Sequence, residues 1–212
     1  MADARAETPA TAAGSREALI PIWAGLGRRQ VAELAVPGAV IGLLGGLIAG
    51  GLAVVGGLSL GITVVAAVAL ALPLAIAGGG YDLLLAKGKI PLGPLTPAGI
   101  YWALAFPVAR VIHAAVVNLV AGDPVAVPHG WLDFVVYNML LSVGFAIGFW
   151  WLHQNFAPRW WYHLRDRNPV ADHIMRRQLQ YLYLMQEHRD QKRQARRGAG
   201  GAEREPGGTS KR

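Results

Sequence analysis

From Leu34 to Tyr81 the chain carries no Asp, Glu, Lys, Arg or His, a run that only a membrane interior asks for. A bilayer core of ~30 Å is crossed by ~20 helical residues, so the run is too long for one span and fits two with a tight turn. Small residues recur at every fourth position inside it: Gly38, Gly42, Gly46 and Gly50, then Ala67, Ala71, Ala75 and Gly79. On antiparallel helices this spacing sets Gly38 opposite Gly79, Gly42 opposite Ala75, Gly46 opposite Ala71 and Gly50 opposite Ala67, with the turn beside Gly56-Gly57. Two backbones can then approach closely. Gly45, off the stripe by ~100°, is the position expected to accept a larger side chain more easily than Gly42 or Gly46.

Extended along the chain, the same pattern predicts an all-α integral membrane protein. Its four transmembrane helices cover about 36–55, 60–81, 99–120 and 131–151 and form two hairpins within a domain of 36–151, and a C-terminal basic amphipathic helix lies in the cytoplasm. Residues 1–35 read as a cytoplasmic segment, disordered and then interfacial, with Trp23 suited to the headgroup layer. No signal-peptide pattern stands out there. Asp82, Lys87 and Lys89 close the second apolar run. Pro91, Pro94 and Pro97 then repeat every third residue, the period of a polyproline II connector, and Thr96-Pro97 offers an N-cap and first-turn proline for the third span. After the fourth span an interfacial segment, 152–168, continues a belt made by Trp150, Trp151, Trp160, Trp161 and Tyr162. Asn168-Pro169 can cap the helix expected over 169–197, where Val170, Ile174, Tyr181, Leu182 and Met185 form an apolar stripe. Residues 198–212 read as a disordered tail.

Composition narrows the classes. With 53% apolar and 16% charged residues, the chain is too unevenly apolar for a soluble domain. The absence of cysteine removes disulfides, thiolate metal sites and Cys nucleophiles. The net charge of +7 is carried mostly by Arg in an Ala- and Gly-rich chain, the composition of a GC-rich bacterial genome, which points to the inner membrane. Bases set the orientation: Arg5, Arg16, Arg28 and Arg29 precede the first span, Lys87 and Lys89 lie between the second and third, and the rest, Arg110 apart, follow the fourth. The expected outer turns, 56–59 and 121–130, contain none, so both termini are predicted to be cytoplasmic.

Arg110 falls near the middle of the third span, where a charge costs ~2.5–3.5 kcal/mol on insertion scales and needs a partner. His113 and Asn118 follow on its stripe, with Asn138 at the depth of His113 and Ser142 at that of Arg110 on the next span, a polar seam. The seam reads either as a packing clasp or as a site for an anion or anionic lipid. No carboxylate is expected deep in a span, which argues against a proton or cation path. Asp133 fits the first turn of the fourth span, facing away from Ser142, so Ser142, His113 and Asp133 make no catalytic triad. His153, His163 and His173 are ten residues apart, without metal-ligand spacing, and read as solvated or interfacial. The glycines of the first span lack the strand and ribose-binding acid of a dinucleotide fingerprint.

No cofactor, metal or catalytic group is therefore expected. Anionic membrane lipids are the default partner of the basic helix, with self-association or a protein partner through 170–185 as further readings and nucleic acid a poor fit. The function this implies is a non-catalytic scaffold or accessory subunit, with a small anion or anionic-lipid transporter or channel as the alternative.

Overall fold

The computed structural model describes residues 23, 25–55, 59–124 and 130–202, with the side chains of 53, 54, 181 and 195–202 left aside. The expected disorder of 1–15, residues 203–212 of the expected tail, and the turn residues 56–58 and 125–129 lie outside them, whereas 198–202, also expected in the tail, are helical. Among the described residues five long helices follow one another: α1 Arg28–Val55, α2 Leu60–Ala86, α3 Leu95–Ala121, α4 Trp131–Leu164 and α5 Pro169–Ala202. No strand occurs among the described residues. Among the described residues four helices are long and apolar enough to cross a membrane, over Arg28–Leu52, Leu60–Ala86, Leu95–Ala121 and Trp131–Leu164. Their outward side chains, such as Leu52, Ile76, Leu104 and Leu140, are large, apolar and exposed, as lipid contact requires. This is a multi-pass membrane protein.

The helices run longer than the hydropathy predicts. α1 takes in Arg28 and Glu33, α2 continues through Asp82 to Ala86, and α4 absorbs most of the expected interfacial segment, leaving 165–168 as the connector to α5. The ends follow from local chemistry. Gly122 closes α3 with a left-handed φ of 76°, letting Asp123 N–H reach the Asn118 carbonyl at 2.9 Å. Asn168 caps α5, its Oδ1 accepting from Val170 N–H at 3.2 Å and Ala171 N–H at 3.3 Å, with Pro169 in the first position. The polyproline connector does not form. Gly88 and Gly93 turn the chain with φ of 67° and 103°, and α3 starts at Leu95 with Pro94 as its cap, so Thr96 and Pro97 already lie inside it.

α1 packs on α2 and α4, α3 packs on α2 and α4, and α5 packs on α4 and the end of α2. The α1–α2 interface is backbone on backbone. A Cβ on Gly42 would meet Leu74 O and lie 2.8 Å from Ala75 N; one on Gly46 would lie 2.6 Å from Ala71 Cβ, and one on Gly50 2.9 Å from Ala67 Cα. At the far end Gly38 meets Gly78 instead of Gly79, which faces Ala35. A four-residue step overshoots a helical turn by ~40°, so facing positions slip along a crossing pair. Gly45 is also no open position, because Phe145 Cε2 of α4 would lie 2.6 Å from its Cβ.

One part of the core sits where α1 and α3 begin, α2 and α4 end and α5 docks, around Leu34, Leu85, Ala98, Trp102, Trp161 and Val170. Pro37 has no N–H for the Glu33 carbonyl, and Trp160 Nε1 donates to that carbonyl at 2.9 Å. Trp161 Nε1 bonds the next one, Leu34 O, at 3.3 Å. Neighbouring side chains thus mend a proline break inside a span. Trp161, at 1% exposure, is a core residue and not part of a lipid belt. Trp151 and Tyr162 are exposed, while Trp23, Trp150 and Trp160 are partly buried. Trp150 donates to Gly93 O at 2.9 Å.

Candidate functional site

Among the described residues two polar clusters lie inside the bundle. The first is built on Asp82, which is fully buried although the hydropathy places it at the end of a span. Leu83-Leu84-Leu85-Ala86 carries α2 one turn further and draws the carboxylate inward. Oδ2 accepts from Gly38 N–H at 2.6 Å, and Oδ1 lies 2.5 Å from Nε2 of His153. Tyr81 and Trp161 stand edge-on to the imidazole and Phe149 stacks on it, with ring centroids 5.4, 5.6 and 5.6 Å away.

The cluster bears on two expectations. A carboxylate is buried in the bundle close to the end of α2, four residues before Ala86, and His153, 4% exposed, is not solvated. The signal for His153 was periodicity: Ser142, Ala146, Phe149, His153, Ala157, Trp161 and Leu164 recur at three- and four-residue steps and are all buried. His163 is exposed and bonds the Arg159 carbonyl of its own helix. The three histidines do not meet, and no group of three His, Asp or Glu able to hold a metal occurs among the described residues.

The second cluster is the seam at Arg110. Its Nε donates to Asn138 Oδ1 of α4 at 3.1 Å, and its Nη1 lies 3.1 Å from His113 Nδ1. Asn138 Nδ2 donates to its own helix at Phe134 O, 2.8 Å away, which fixes the amide with its oxygen toward the guanidinium. Ser142, expected at the depth of Arg110, donates instead to Met139 O at 2.6 Å. The guanidinium reaches one turn along α3 to the level of His113, where two acceptors stand. Asn118 lies two turns beyond Arg110, ~12 Å along the axis, where its carbonyl serves the α3 cap. Asp133 occupies the first turn of α4.

Arg110 and His113 line a cavity of about 190 Å³, together with Ala49 and Gly50 of α1 and Ile62, Ala66 and Leu70 of α2. Fifteen residues of α4 separate Asn138 from His153, ~22 Å. Trp102, Phe106, Phe145 and Phe149 fill the interval, with ring centroids 4.6–6.3 Å apart. A larger groove of about 590 Å³ between α2 and α3, bounded by Leu72, Pro73, Tyr101 and Leu104 among others, is almost wholly apolar.

α5 divides in two. Val170, Ala171 and Ile174 are buried against the bundle, whereas Leu179, Leu182, Tyr183, Leu184 and Met185 are 41–77% exposed. The stripe expected to be continuous from Val170 to Met185 is therefore spent in its first turns on the chain's own core. Comparison with protein-family models, characterised proteins and solved structures finds no match, so function rests on this geometry alone.

Proposed function

We propose that this chain is a non-catalytic scaffold or accessory subunit of a bacterial inner membrane. It would span the membrane as two hairpins, the first zipped by glycine, with both termini cytoplasmic. The segregation of Lys and Arg away from residues 56–59 and 121–130 supports that orientation. One observation carries the function: α5 leaves the bundle after its first turns and exposes Leu179, Leu182, Tyr183, Leu184 and Met185 between Arg176-Arg177 and the bases Arg189, Lys192 and Arg193. A contiguous exposed apolar patch marks an interaction surface, and flanking bases favour anionic headgroups or an acidic partner face. On this reading a partner or a second copy would use 179–185, the part of 170–185 that the bundle leaves exposed. Trp151 and Tyr162 would sit at the lipid interface.

The test compares the full chain with a Leu179→Glu/Leu182→Glu variant, both extracted in mild detergent and sized by light scattering. The wild type should run as an assembly with a second copy or another membrane protein, and the variant should run as a free chain with unchanged thermal stability. Identical monomeric sizes for both would overturn the proposal.

A further inference from the structure

We propose that the cavity between α1, α2 and α3 is a binding site for one monovalent anion, held by the Arg110 guanidinium with His113 beside it. The inference goes beyond the scaffold reading and does not depend on it. Charge comes first. A guanidinium is not deprotonated in a protein, and Arg110's partners, Asn138 and His113, supply acceptor atoms but no negative charge. Among the described residues the acids found in ion pairs are Glu33, Asp82, Asp166 and Asp172, none of them with Arg110. The two bonds hold the guanidinium in place and leave its charge uncompensated, in a setting where a lone charge is expensive.

Donors come next. Because the guanidinium can only donate, His113 Nδ1 must accept, which puts the ring proton on Nε2. His113 is then a neutral donor, and Arg110 has given two of its five N–H groups to Asn138 and His113. Those unsatisfied by the protein suit an acceptor that carries charge. Asn138 is itself fixed by Phe134 O, so the guanidinium is held before any ligand arrives.

Size and surroundings select the ligand. The cavity of about 190 Å³ compares with ~30 Å³ for a water in the liquid and ~300–1,000 Å³ for pockets that take drug-sized molecules. It therefore admits a halide, nitrate or one phosphodiester group with a few waters. The rest of its wall is Ala49, Gly50, Ile62, Ala66, Leu70 and Val117, a low-dielectric surface that strengthens attraction to one negative charge. A dianion would bury a second charge without a partner. The aromatic block of Trp102, Phe106, Phe145 and Phe149 lies between this cavity and the Asp82–His153 pair, so the two polar clusters are separate.

The experiment uses the full chain in maltoside micelles in sodium sulfate, exchanged at constant ionic strength into bromide or nitrate, and in nanodiscs with or without phosphatidylglycerol. The unfolding midpoint is followed as a function of anion concentration. A saturable rise with bromide or nitrate, absent with sulfate, assigns the ligand to solution anions. A rise with phosphatidylglycerol alone assigns it to a lipid phosphodiester. Either response should weaken on the order of tenfold or more in Arg110→Leu. Ala49→Leu, which fills the cavity and leaves Arg110 and its partners in place, should abolish it even if Arg110→Leu does not fold. His113→Gln, which keeps an acceptor for Arg110 and an N–H donor, should retain most of it. No response of the wild type to any of these anions, or a response unchanged in folded Ala49→Leu, would overturn the proposal.

Discussion

Adding a single methyl group at Gly42 should separate α1 from α2. Its Cβ would collide with Leu74 O and lie 2.5 Å from Leu74 C and 2.8 Å from Ala75 N, all backbone atoms that no rotamer change can move. Carbon contacts are comfortable at ~3.5–4.0 Å, so the helices must part locally by roughly 1 Å, and a gap of that size forfeits about a quarter to a half of the dispersion energy at each contact across it. Overpacking of a tight core costs ~1–3 kcal/mol, and Gly42→Ala belongs at the upper end, ~2–3 kcal/mol, because the obstruction is backbone. Gly45→Ala meets the edge of the Phe145 ring, which can swing, and should cost less. Gly51→Ala meets nothing within 4 Å and should be neutral or slightly stabilising. Reversible unfolding in mixed micelles measures all three. A loss at Gly42 within 0.5 kcal/mol of that at Gly51, an estimate of surface-substitution noise, would refute the close-approach reasoning.

Two further outcomes follow from the other interior contacts. Asp82→Leu strands His153 and Gly38 N–H in a dry site and should cost ~3–5 kcal/mol; adding His153→Leu should give less than the sum of the single losses, and strict additivity in the double-mutant cycle would show that the 2.5 Å contact is not a coupled pair. On the docked face of α5, burial first and then the Arg177 and Arg176 charges hold the His173 imidazole below its usual 6.5, against an opposing pull from Asp172. The folded state thus binds fewer protons than the unfolded one just below pH 6.5, so this stabilisation is complete above pH 6.5 and declines as the pH falls. The thermal midpoint should fall more steeply below pH 6.5 in the wild type than in His173→Gln, and parallel profiles would remove His173 as the cause.

Much of the architecture was legible because a bilayer makes hydropathy decisive: an uncharged run from Leu34 to Tyr81 has few ways to exist other than as helices across lipid. Four spans, the small residues at the α1–α2 contact, the Asn168-Pro169 cap and the isolation of Arg110 all follow from short-range pattern. Depth and pairing did not. Hydropathy sees a charge as the end of a span, so it stopped α2 at Tyr81 and α4 at Trp151, and missed that Asp82 and His153, 71 residues apart, neutralise one another's cost inside. It assigned Trp160 and Trp161 to a lipid belt because an indole suits an interface, whereas the carbonyl freed by Pro37 and its neighbour Leu34 O draw their N–H groups inward. The seam shows the same division. The sequence determined that Arg110 needs polar company, and only the tertiary structure decided that Asn138 and His113 provide it, that Ser142 turns to its own helix, and that a cavity opens beside the charge. Local spacing sets which face a side chain occupies, whereas the partner on the opposite helix depends on crossing angle and axial register, which the packing of all the helices sets together.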